Sequence, residues 1–147
     1  MTDDNSAAKE LVETLRDGEQ GYASAAEKLR DSDRSEWATK LQGFSEQRAG
    51  FRREIVELGH EYAEDVDKSG TAAAALHRGW IALKDALTGD DAGSVLGAVV
   101  TGENHAVSEY EKALESDLSD GFREVVTRQH AAVVAARDEV EALQNAD

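Results

Sequence analysis

The chain has 147 residues, 31 acidic against 16 basic side chains and a formal charge of −15, with 40% apolar residues; that fits one domain with enough apolar material for a core. Such a charge repels phosphate backbones and anionic lipid, which argues against nucleic-acid and membrane-surface roles, and the absence of cysteine excludes disulfides, thiolate nucleophiles and Cys-type zinc sites. No apolar run approaches the ~20 residues of a membrane span and the start Met1-Thr2-Asp3-Asp4 does not read as a signal peptide, so the expectation is a cytoplasmic protein, one domain over 1–147 with residues 1–6 and 145–147 frayed.

Proline, the commonest helix breaker, is absent, and five segments follow the 3.6-residue period while none shows strand alternation. The first predicted helix, about Ala7 to Arg30, carries the stripe Val12, Leu15, Glu19, Tyr22, Ala26, Leu29. After the turn Asp31-Ser32-Asp33, with Ser35 as N-cap, the second runs from about Glu36 to Glu64 with Trp37, Leu41, Phe44, Arg48, Phe51, Ile55, Leu58 and Tyr62 inward. A polar break, Asp65 to Gly70, precedes a shorter third helix, about Thr71 to Leu87, with Ala73, Leu76, Trp80, Leu83 and Leu87. Thr88-Gly89-Asp90-Asp91 supplies a stop and a cap. The fourth helix, about Ala92 to Glu115, shows Leu96, Val99, Glu103, Ala106, Tyr110 and Ala113; the fifth, about Asp120 to Gln144 after a Ser119 cap, shows Phe122, Val126, Gln129, Val133, Ala136, Val140 and Leu143.

Four of these helices are long, and short turns make the first and second antiparallel, and the fourth and fifth likewise. One long crossover between two hairpins predicts an all-α, ferritin-like four-helix bundle with the third helix in the crossover. Each long stripe is interrupted near its middle by one polar residue: Glu19, Arg48, Glu103 and Gln129. Their distances from the connecting turns are similar, which predicts one buried polar layer. A ferritin-like di-metal centre draws a Glu from each of two helices and Glu-x-x-His from each of the others. Here Glu19 and Glu103 fit the single glutamates, but the other helices offer Arg48 and Gln129. A guanidinium is a permanent cation; between two carboxylates it neutralises them as a metal would and repels that metal. The layer therefore reads first as an ion-pair network setting helix register, with no cofactor. The alternative is a site for iron or another divalent metal using Glu19 and Glu103, with His130 reached by a rotation of the fifth helix.

Glu57-x-x-His60 points away from the Leu58 stripe and reads as an exposed pair. Asp65-x-Asp67-x-Ser69-Gly70 imitates half of a calcium loop, but position twelve is Leu76, where a glutamate belongs. His77, His105 and His130 read as flanking or surface histidines, and no nucleotide-binding spacing is present. The helix glycines Gly18, Gly21, Gly43, Gly50, Gly97 and Gly102 each cost ~1 kcal/mol against alanine; close helix approach, or room for Trp80 or Tyr110, would offset that, with ligand access as the sharper alternative.

Asp17-Gly18-Glu19 with Gly21-Tyr22, Gln47-Arg48 with Phe51, His77-Arg78-Gly79-Trp80 with Leu83-Lys84 and Leu87-Thr88-Gly89, Gly102-Glu103, Tyr110 with Ala113-Leu114, and Arg128-Gln129 together resemble a bacterial ferritin-like four-helix-bundle family of unknown function. The resemblance spans about Leu11 to Leu143 and implies the bundle but no activity. Val100 and Arg137 depart from it, each removing a potential metal ligand. The charge and the six lysines also resemble proteins of saline cytoplasm, where salt screens self-repulsion.

These features predict a non-catalytic bundle acting as an interaction or stress-related module. Its partner would be a second copy (a homodimer) or another protein, with His77, Arg78 and Trp80 shaping the surface. The competing expectation is an iron-handling protein, and a weaker one a small-molecule carrier.

Overall fold

The computed structural model describes residues 3–69, 79–89 and 91–146. Among them the backbone forms five helices and no strand: α1 (Asp4–Arg30), α2 (Ser35–Ser69), α3 (Ile81–Ala86), α4 (Ala92–Glu115) and α5 (Asp120–Ala146). None is long and apolar enough to cross a membrane.

Several boundaries differ from the sequence expectation, each for a local reason. α1 starts at Asp4, not Ala7, because its first residues are tied to the α4–α5 joint. The Asp4 carboxylate accepts from the Ser119 backbone N–H at 2.9 Å and from its hydroxyl at 2.6 Å. Asp3 N donates to the Asp117 carbonyl at 2.6 Å. α2 runs on to Ser69, through the stretch expected to break it; no proline stands there, and Gly70 comes only after its end. Asp65, Asp67 and Ser69 therefore lie on a helix and not in a loop. Residues 71–78 of the third predicted helix lie outside the described residues.

The turn between α1 and α2 is built by Ser32, whose hydroxyl donates to the Leu29 carbonyl at 2.7 Å and accepts from Arg34 N at 3.0 Å. Asp91 caps α4 by accepting from Gly93 N at 3.1 Å. Arg123 closes the α4–α5 joint, donating to the carbonyls of Leu114 at 2.9 Å and Ser116 at 2.7 Å. These short joints make α1 and α2 antiparallel, and α4 and α5 antiparallel. The start of α1 meets the end of α4, so those two also run oppositely. Lys40 with Glu139, and Glu54 with Arg128, bridge α2 and α5 in antiparallel order. α1 therefore packs on α2 and α4, α4 on α5 and α3, and α5 on α2.

The apolar interior falls into two clusters. One holds Leu11, Val12 and Leu15 of α1 with Ile55, Ala106, Tyr110, Phe122, Val126 and Val133. The other holds Tyr22, Ala26 and Leu29 with Trp37, Leu41, Trp80, Leu83, Leu96, Val99 and Val140. Between them, on α1, α2 and α4, lies the segment of each helix that carries buried polar side chains.

Candidate functional site

Arg48 follows Leu41 and Phe44 on the inward face of α2, and Glu103 follows Val99 on that of α4. Helical spacing thus carries both into the bundle at the junction of the two clusters. Their side chains are 1% and 0% exposed. Arg48 Nη1 and Nη2 donate to Glu103 Oε1 and Oε2 at 2.5 and 2.6 Å, a two-pronged pair. Its Nε donates to the Gln47 side-chain oxygen at 3.2 Å, and its guanidinium carbon stands 5.2 Å from the centroid of the Tyr22 ring. Burial works against the Arg48 cation, but the charge and hydrogen bonds of Glu103 outweigh it and hold its pKa above the ordinary guanidinium value.

Tyr22 lies beside this pair. Its hydroxyl is close enough to feel both charges but closes no hydrogen bond of acceptable geometry among the described residues. Burial, then the Glu103 charge, pushes its pKa well above the usual phenol value, against an opposing pull from Arg48. A second set lies one step further along the bundle. Tyr110 donates to Gln129 Oε1 at 2.7 Å, and Gln129 Nε2 donates to Glu54 Oε1 at 2.8 Å and to the Phe51 carbonyl at 3.3 Å. Glu54 in turn holds Arg128 at the rim. Burial raises the Tyr110 pKa as well.

The predicted layer is thus assembled differently from the sequence expectation. Arg48, Glu103 and Gln129 are buried, but they belong to two hydrogen-bonded sets. Glu19 is not with them: its carbonyl lies inside and accepts from the Ser45 hydroxyl at 2.9 Å, while its side chain, 24% exposed, turns along the α1–α2 seam to Arg52. The α1 residue that faces the guanidinium is Gly18, where an added Cβ would stand 3.5 Å from Arg48 Nη1. Asp17 is also buried, and neither it nor the tyrosine hydroxyls were legible as polar members of the interior.

The three residues offered for a metal do not converge. Glu103 gives both oxygens to Arg48, Glu19 pairs with Arg52, and His130 Nε2 lies 3.9 Å from Glu111. Among the described residues no group of three or more His, Asp or Glu side chains is placed to share a metal ion. A permanent cation engages both oxygens of Glu103, the one fully buried glutamate among the described residues, so this donor set does not fit a di-metal centre.

His77 and Arg78, offered for an interface, lie outside the described residues, as does the His60 side chain. Trp80, offered with them, is not at the surface: it is fully buried. Its indole sits between α1 and α4, where a Cβ added at Gly21 or Gly102 would come within 2.3 Å of it. Those two glycines answer to Trp80, whereas Gly43 has open space beside it.

Residues 5–116 match the family model described as Domain of unknown function (DUF2383). The chain belongs to that family. No curated protein and no solved structure matches it. The matched part of this DUF2383 chain contains α1 to α4, and with them Arg48, Glu103, Tyr22 and Trp80. Gln129 and α5 lie beyond it.

Proposed function

We propose that this chain is a non-catalytic, ferritin-like helical bundle that serves as an interaction module, with the Arg48–Glu103 pair seated where ferritin-like relatives hold metal. The helix directions support the fold: two antiparallel hairpins joined by one long crossover. The observation that carries the proposal is the buried two-pronged pair itself. It neutralises Glu103 and engages both of its oxygens, which disfavours a metal or a proton-transfer role there, and burial keeps Tyr22 and Tyr110 as neutral phenols. The partner is a second copy or another protein; the charge of −15 disfavours nucleic acid.

Anaerobic incubation with ferrous iron, followed by desalting and elemental analysis, tests the metal-free centre. Iron well below one atom per chain is expected. Stoichiometric iron that is lost in Glu103→Gln would replace this proposal with the iron-handling alternative. Light scattering tests self-association: a mass near 15.9 kDa at high concentration would leave only a different protein as partner.

A further inference from the structure

Trp80 is held in a manner distinct from the rest of the core. It immediately precedes a six-residue helix, α3, that packs on α4, and it follows Gly79, whose φ is +78°. A side chain at 79 would be strained in that conformation and would strike the His105 ring, with an added Cβ 2.5 Å from Cγ. The indole then fills a slot whose walls are glycine backbone on two different helices, Gly21 and Gly102. Those wall residues adjoin the polar interior directly: Gly21 precedes Tyr22, and Gly102 precedes Glu103. The Trp80 ring meets the Tyr22 ring edge-on at 5.5 Å, and the Tyr22 ring carries Arg48 at 5.2 Å. In this closed arrangement the Tyr22 hydroxyl is buried beside the Arg48–Glu103 pair with no well-formed hydrogen bond among the described residues, a cost that access to water would relieve.

We infer that residues 79–89 form a latch, which opens by withdrawing Trp80 from between Gly21 and Gly102 while the four long helices stay folded. When open, it admits water to the Tyr22 hydroxyl and to the Arg48–Glu103 pair. Leu83 is the second fully buried residue of the latch, and Ala82, Ala86 and Leu87 pack partly buried against the same cluster. Small units of this kind open below the global unfolding limit.

Native-state hydrogen exchange on the full chain tests this. The amides of Leu83 and Leu87, bonded to the Trp80 and Leu83 carbonyls, should exchange at least about tenfold faster than those of Leu41 and Val99, and with weaker denaturant dependence. One common rate and slope for all four amides would overturn the latch. A second measurement uses Trp37→Phe, which leaves Trp80 as the only tryptophan, combined with Gly102→Ala, which crowds the slot. Red-shifted, quencher-accessible Trp80 emission with helical circular dichroism retained supports a separable latch. Helicity lost in step with the shift shows Trp80 to be part of the global core and overturns it.

Discussion

Arg48 and Arg52 stand one turn apart on α2, and each meets a glutamate from another helix. Arg48 is sealed between α1 and α4 with both guanidinium prongs engaged. Arg52 and Glu19 keep 18% and 24% exposure along a seam. One turn of helix therefore separates a pair whose charges have left water from one whose charges have not. The two should respond to substitution differently although their chemistry is the same.

The largest effect is expected from Glu103→Ala, which strands the Arg48 cation in the interior. Breaking a buried pair this way costs about 3–5 kcal/mol, or roughly 10 °C in thermal midpoint for a chain of this size, read by circular dichroism. A loss no greater than that of a rim substitution would erase the distinction between the two arginines. Alkali should act next. Tyr22 and Tyr110 have pKa values raised above 10.0 in the folded chain, so both are neutral in either state below that pH and their contribution is fully present there. Above it the unfolded chain ionises first, and stability should fall by up to about 1.4 kcal/mol per pH unit for each tyrosine. Urea titrations across that range in a Tyr62→Phe background should show the decline, together with phenolate absorbance from Tyr22 and Tyr110 that appears only on unfolding.

A smaller net change is expected for Arg48→Met combined with Glu103→Leu. Removing both charges spares both desolvation costs, so the double variant should return to within about 1 kcal/mol of the parent or exceed it. If it stays as unstable as Glu103→Ala, the buried pair does more than neutralise itself. The smallest effect belongs to Glu19→Ala: about 1 kcal/mol or less, shrinking as KCl is added.

Much of this architecture was legible in the sequence because an apolar stripe marks both a helix and its inward face. A polar residue within the stripe, such as Arg48, Glu103 or Gln129, is marked in the same way. Glu19 was misplaced because the face of α1 at that height is made by Gly18 and Gly21, which carry no hydrophobic signal, and a long glutamate at the edge of the face can turn away. Tyr22 and Tyr110 counted as apolar in the stripes, although their hydroxyls belong to the polar interior. Trp80 could be matched to helix glycines in general, but the choice of Gly21 and Gly102 depends on how α1 and α4 meet, which no single helix encodes. The extension of α2 to Ser69 was missed because Asp and Ser favour caps and turns without forbidding helix.

The clasp between Asp4 and Ser119 fixes where the described chain starts: beside the α4–α5 joint. α5 runs in the same direction as α1, so residue 146 lies at the opposite pole, about 40 Å away for a helix of this length. A donor and an acceptor dye attached at those two poles would form a molecular ruler, whose reading would stay fixed while the latch moves and change only when the long helices come apart.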